Sequence, residues 1–359
     1  MGNSSKIVIS GYYGFDNIGD EAVLLAILSQ LREQMPEVGI TVLSNNPEKT
    51  KHIYDVEAVN RWNIKEVIKA IKSCDMLISG GGSLLQDVTS NKTIPYYLGV
   101  VKIAQWYKKK VVFYSQGIGP VTHSYNKWLI KLIVNHVDAI FVREKHSKTV
   151  LKDLGIRKPI TVAADPVLGI KPSPEVYKYI KDLLHAQKAV GVYIRPWENE
   201  EELLTSLEKT LQYIISEGYK IYLIPMYYAQ DKEIAHKLKR RLGEQAVVVD
   251  EMLTIDEVVS YTACFEFIIG MRLHSLIMAA ATQVPMIGLS YDPKVRGFMK
   301  DMGIRYCIEV QHIDQDELLH KAQKLMDNIA SEKIHLKAVY NMQNEKANLP
   351  AKYIKQQLL

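Results

Sequence analysis

The sequence predicts an α/β chain built from two doubly wound domains. Three observations carry that prediction. Short continuous apolar runs recur along both halves of the 359 residues, the pattern of parallel strands buried on both faces. Helical patterns separate these runs. Three prolines, Pro166, Pro172 and Pro174, punctuate the chain near its middle, where one domain would end. Apolar residues are 47% and charged residues 24% of the chain, which allows a packed core in each half.

Taken in order, Lys6–Ser10 reads as a strand and Glu21–Met35 as a helix. Strands follow at Ile40–Ser44, Met76–Gly80, Val111–Ser115 and Ala139–Val142. These make a first domain over residues 1–168, with 169–186 as a linker. Ala189–Ile194, Lys220–Pro225, Ala246–Val249, Phe265–Gly270 and Pro285–Ser290 repeat the style in a second domain over 187–330. Residues 331–359 continue a Lys- and Gln-rich helical stretch that is expected to pack back on the first domain. Two Rossmann-like doubly wound domains facing across a cleft make a GT-B-like architecture, which by itself names no chemistry.

Composition excludes several classes. No apolar run reaches the roughly 18 residues of a membrane span. The N-terminus has no signal-peptide h-region, so a cytoplasmic location is expected, with the inner face of the membrane left open. Gly2 and Ser5 loosely match a myristoylation signal, but the strand from Lys6 argues against it. The net charge of +5 is mild and no basic cluster interleaves with aromatics, so no nucleic acid is expected. Such a charge suits anionic small substrates or loose peripheral contact with an anionic membrane. Cys74, Cys264 and Cys307 are read as buried thiols of a reducing compartment. No ligand spacing for a metal stands out, and none is expected. Homo-oligomerisation stays open.

Ligands of open α/β sheets sit beyond the carboxyl ends of the strands, so the chemistry is sought in the loops that follow them. Gly11–Ala22 (GYYGFDNIGDEA) carries three glycines before a helix, without the G-x-G-x-x-G spacing of a dinucleotide site. Asp20 reads either as an N-cap or as a carboxylate able to take a proton from a hydroxyl. Asp16 and Asn17 either bind hydroxyls or shape turns. Ser79–Asp87 (SGGGSLLQD), with Gly81 and Gly82, reads as a backbone-lined pocket before a helix, or as a tight turn. Gln116 in SQGIGP lies on the same edge. Arg143 either pairs with Glu144 or Asp165, or clamps an anion. In the second half Arg195, Arg272, His274 and Lys294 follow three apolar runs. Together they make an anion site with a proton handle.

These loops together resemble the polysaccharide pyruvyl transferase family. The matching pieces are GYYGFDNIGDEAVL, SGGGSLLQD, SQGIGP, the VRExxS around Arg143–Ser147, ADP at Ala164–Pro166, GMRLHSLIMAA and SYDPK. They run from Gly11 to Lys294, and the opening piece looks most like the CsaB-type enzymes that modify secondary cell-wall polymers. The resemblance implies transfer of the enolpyruvyl unit of phosphoenolpyruvate to a sugar, with phosphate released. It implies a 4,6-linked ketal on an N-acetylmannosamine of a lipid-linked saccharide acceptor, in support of S-layer protein anchoring. No further cofactor is implied. On this reading Arg143, Arg195, Arg272 and Lys294 bind phosphoenolpyruvate. His274 acts as the acid or as a phosphate contact, and Asp20 as the base. Gly14, Asp16, Asn17, Gly81, Gly82 and Gln116 face the acceptor. The rival readings are a nucleotide-sugar-dependent GT-B glycosyltransferase, for which Glu251 is the one tempting residue, and a non-catalytic sugar-binding module.

Overall fold

The computed structural model describes residues 5–88, 90–185 and 187–358, so Gly2 lies outside it. The chain forms two compact units. Unit 1 runs to Gly169 and resumes at Gln343, and unit 2 is Ile170–Met342.

Unit 1 contains β1 (Lys6–Ser10), α1 (Ile18–Gln34), β2 (Gly39–Ser44), α2 (Pro47–Tyr54), β3 (Glu57–Asn60), α3 (Ile64–Ser73), β4 (Met76–Ser79) and β5 (Gly82–Leu85). It continues with α4 (Thr93–Trp106), β6 (Lys110–Ile118), α5 (Ser124–Val134), β7 (Ala139–Val142), α6 (Lys145–Asp153) and β8 (Ile160–Val162). Its strand order is β3-β2-β1-β4-β6-β7-β8, with β5 paired to β6. Unit 2 contains α7 (Pro174–Leu183), β9 (Ala189–Tyr193), α8 (Glu200–Ser216), β10 (Lys220–Leu223), α9 (Tyr228–Leu242), β11 (Ala246–Val248), α10 (Ile255–Cys264) and β12 (Phe267–Gly270). Next come α11 (Leu273–Ala281), β13 (Met286–Ser290), α12 (Pro293–Asp301), β14 (Cys307–Glu309) and α13 (Gln315–Asp327). Its order is β11-β10-β9-β12-β13-β14. Two helices close the chain, α14 (Ile329–Ala347) and α15 (Leu349–Leu358).

Each strand pairing in both sheets is parallel. The apolar runs therefore lie between helical layers, and Ile7, Val8, Ile9, Val190, Val192, Ile268 and Ile269 are all buried. In unit 1 the strand order reverses between β1 and β4, and in unit 2 between β9 and β12. Such reversals open a crevice at the carboxyl edge of a sheet, where loops diverge and ligands bind.

Several local expectations change. α1 starts at Ile18, not Glu21, and its N-cap is Asn17 rather than Asp20. The glycine run after β4 leads into the strand β5 instead of a helix. The stretch read as a linker carries a helix, α7, which Ser173 caps and which packs against α10. β3, β5, β8 and β14 are short strands that the apolar runs do not reveal. Cys74 is buried, but Cys264 and Cys307 are only partly so. Burial pushes all three thiols up to about 11, which leaves them protonated near neutrality. Among the described residues no helix is long and apolar enough to cross a membrane.

Candidate functional site

At the reversal point of unit 1, Asp20 is the third residue of α1 and keeps partial solvent access. Its carboxyl lies over Gly82, whose φ is +86°. A Cβ there would stand 2.9 Å from Asp20 Oδ1. Burial is the largest influence on this carboxyl and, with the neighbouring charges of Glu21 and Asp165, raises its pKa to about 7, against the pull of Arg143. A carboxylate poised near neutrality can accept a proton and also lose it again. Behind it Tyr13 is fully buried, its hydroxyl has no hydrogen-bond partner, and it packs so closely on Gly11 and Gly80 that no Cβ fits at either.

The other residues singled out in unit 1 hold this edge together. Gln116 is buried; its Nε2 donates to Ser79 Oγ at 2.6 Å and to the Gly80 carbonyl at 3.0 Å, joining β6 to the end of β4. Arg143 is buried as well. It donates from Nε to Glu144 at 2.9 Å, from Nη1 to Asp165 at 3.0 Å and from Nη2 to Ser83 at 3.2 Å. Its fork is thus occupied inside unit 1 by two carboxylates. Gly14 has φ +78° and donates its N–H to Glu21 at 2.7 Å. Asn17 is spent on its cap, accepting from Gly19 N–H at 3.0 Å. Asp16 is exposed and ion-paired with Lys49 at 2.7 Å. A Cβ at Gly81 would meet Val23 at 2.6 Å, so α1 approaches the β4–β5 turn directly.

In unit 2, three adjacent strands end in the cations. β9 runs out to Arg195, β12 to Arg272 and His274, and β13 to Lys294. All four are partly exposed. Arg272 occupies the N-cap position of α11, and His274 is the second residue of that helix. Lys294 is the second residue of α12, whose cap Asp292 accepts its backbone N–H at 2.8 Å. Arg195 lies over the Tyr291 ring, 4.8 Å from its centroid, and its Nε is buried with no hydrogen-bond partner. Two helix N-termini and a guanidinium at a reversal point have the chemistry to hold an anion. Arg272 is held from behind: Nε donates to Asp231 Oδ2 at 3.1 Å and Nη2 to Oδ1 at 2.5 Å, and Asp231 is fully buried.

The sequence profile of polysaccharide pyruvyl transferases matches residues 17–293, most of the chain. The chain belongs to this family. It is also 20% identical to the amylovoran biosynthesis protein AmsJ of Erwinia amylovora, with 90% of this chain and 92% of AmsJ aligned. Among solved structures it is similar to HepE of Anabaena in complex with UDP and glucose, at 12% identity and TM-score 0.66 over 99% of each chain. It is similar too to the UDP-GlcNAc 2-epimerase of Neisseria meningitidis bound to UDP-GlcNAc, at 11% identity and TM-score 0.64 over 98% of this chain and 99% of that one. At those identities the likeness concerns the fold, and the α/β, GT-B-like class holds.

Two features of this pyruvyl transferase family member escape linear reading. Asp231, in the first turn of α9, is what orients Arg272; its only signal is an acidic residue at a helix start, which many surface helices share. Arg61, just after β3, is buried among aromatic side chains that come from three separate stretches of chain. The first clue to it is the tetrad Asn60–Asn63 (NRWN), which carries no recognisable motif.

Proposed function

We propose that this chain transfers the enolpyruvyl unit of phosphoenolpyruvate to a saccharide of a cell-surface polymer precursor and closes it to a 4,6-linked pyruvate ketal. The observation that carries this reading is the convergence of Arg195, Arg272, His274 and Lys294 at the ends of three adjacent strands of unit 2. Phosphoenolpyruvate bears a carboxylate and a phosphate, and one guanidinium fork plus a lysine and two helix N-termini match those two anions. The unpartnered Nε of Arg195 is a donor that a carboxylate would satisfy.

The chemistry follows from the groups. Protonation of the enol carbon C3, with His274 as the acid, leaves a cationic centre at C2. A sugar hydroxyl attacks C2 as Asp20 removes its proton. The C2–O bond to phosphate then breaks and phosphate leaves with the electron pair. A second hydroxyl adds at C2, loses its proton, and closes the ring. Phosphoenolpyruvate and a diol thus give a ketal and inorganic phosphate. An N-acetylmannosamine of a lipid-linked precursor is the proposed acceptor, and anchoring of S-layer proteins the proposed purpose. Arg143, already bound by two carboxylates, is assigned here to supporting the Asp20 pocket rather than to phosphoenolpyruvate.

The protein is incubated with phosphoenolpyruvate and a panel of synthetic acceptors, with phosphate release and product mass as readouts. A mass gain of one ketal-linked pyruvate, together with thermal stabilisation by phosphoenolpyruvate and none by UDP-sugars, is expected. Stabilisation by UDP-sugars and transfer of a sugar would replace this reading with glycosyl transfer.

A further inference from the structure

Arg61 poses an electrostatic problem. Its side chain is buried, with 5% of the residue exposed, and among the described residues no carboxylate is ion-paired with it. A buried cation ordinarily requires a charged partner. Here Nη1 donates to the Gly11 carbonyl at 2.8 Å and Nη2 to the Tyr97 hydroxyl at 3.2 Å, while Nε is buried with no partner. Four rings surround the guanidinium: Tyr96 at 4.4 Å, Trp62 at 5.1 Å, and Phe15 and Tyr97 at 5.3 Å from their centroids. Their π faces take the place of the missing anion.

The cluster does not end in the core. Trp62 is 62% exposed, and Tyr12, stacked on Phe15 at 4.1 Å and 6°, is 39% exposed. The Trp62 ring is fixed, not loose. Its indole N–H donates to Asn45 Oδ1 at 2.9 Å, and Asn45 in turn donates to the Gly14 carbonyl at 3.3 Å. Inward, the cluster is continuous with the Asp20 pocket. Tyr97 feels the Asp20 charge, and Arg61 holds the carbonyl of Gly11, next to the buried Tyr13. Large, rigid, solvent-facing rings held in place beside a candidate base would serve the C–H face of a pyranose.

We propose that Trp62 and Tyr12, the first anchored by Arg61 and the second backed by Phe15, form a stacking subsite for a sugar residue of the acceptor adjacent to the one that is modified. This rests on the pyruvyl-transfer reading, and its ligand is a neutral saccharide ring, distinct from the anion taken by unit 2. Cutting Trp62 back removes the stack without touching Asp20 or the cations of unit 2.

Wild type, Trp62→Ala and Trp62→Phe are titrated with a synthetic disaccharide ending in N-acetylmannosamine. Binding is followed by saturation-transfer NMR without phosphoenolpyruvate, and phosphate release is then followed with it. Trp62→Ala is expected to weaken binding and raise the acceptor KM about tenfold, leaving kcat and the phosphoenolpyruvate KM within roughly twofold. Trp62→Phe is expected to recover most of the loss. Trp62→Ala also removes one of the four rings over Arg61, so a modest fall in melting temperature accompanies it, and Trp62→Phe, which keeps a ring there, is expected to restore most of that stability. Equal binding by wild type and Trp62→Ala, or no binding by wild type, overturns the subsite. Wild-type protein that binds the disaccharide through Trp62 yet releases no phosphate overturns pyruvyl transfer and leaves the subsite standing.

Discussion

The reactive role proposed for Asp20 comes with a structural cost. Its pKa of about 7 in the folded chain stands well above the ordinary carboxylate value near 4. As pH rises from about 4 to about 7, the unfolded chain gives up this proton first, and native stability falls across that window. Above pH 7 the full cost is present. Asp20→Asn is therefore expected to raise stability at pH 8, on the order of 2 kcal/mol after allowance for partial solvent access, with the gain vanishing toward pH 4. The same change is expected to lower turnover roughly 10²–10⁴-fold, as loss of a general base does. Denaturant melts at two pH values and phosphate-release rates check both halves; a stability gain over wild type that is no larger at pH 8 than at pH 5 would refute the raised pKa. In the wild type, kcat/KM for acceptor should climb with pH to a limb near 7. Arg143 makes the opposite case. Removing it leaves Asp165 and Glu144 facing each other without a cation in a buried pocket. Arg143→Met is expected to destabilise unit 1 by about 3–5 kcal/mol. The phosphoenolpyruvate-induced thermal shift, a property assigned to unit 2, should persist.

At the scale of elements, α1 decides where the Asp20 carboxyl sits. The sequence places the helix start at Glu21, with Asp20 readable as its N-cap, whereas Asn17 caps it three residues earlier. That shift takes Asp20 off the cap and into the first turn, where its carboxyl meets Gly82. Asn17→Ala is expected to cost about 1 kcal/mol of stability, the usual value for a lost N-cap, while acceptor KM changes little. A rise in acceptor KM without loss of stability would return Asn17 to the acceptor site. The strand cores and the cationic loops after β9, β12 and β13 were legible because a buried parallel strand writes a continuous apolar run, and a loop follows it directly. β5 was not legible, since Gly82–Leu85 is four residues long and the glycine run that leads into it mimics a turn. The Arg61 cluster was not legible for a different reason. Its rings come from the β1–α1 loop, the β3–α3 turn and α4, and only the folded sheet brings Phe15, Trp62, Tyr96 and Tyr97 to one guanidinium.

At the scale of the whole molecule, the chain returns at its end to the unit in which it began. α14 leads out of unit 2, and from Gln343 onward the chain belongs to unit 1. There α15 buries Ala351 and Ile354, packs on α1 and β6, and sets Tyr353 against Phe141 with ring centroids 5.5 Å apart. Lys110, the first residue of β6, donates to the Gln357 carbonyl at 2.7 Å, and Ser5 Oγ donates to the Leu358 carbonyl at 3.4 Å. The Lys-rich composition of this segment thus accompanies an apolar face that is already covered, so its helix is a structural brace of unit 1. Ending the chain after Asn348 is expected to cost unit 1 on the order of 3–5 kcal/mol, from the lost burial of Ile354 and its neighbours. Hydrogen exchange resolved to peptides separates the units: protection should fall in β1, α1 and β6 and hold in β9, β12 and β13. Phosphoenolpyruvate should still protect the loops that follow β9, β12 and β13 in the shortened chain. Equal loss of protection in both units would mean that α15 supports the molecule as one cooperative body, and would make the proposed acceptor and donor sites inseparable in stability.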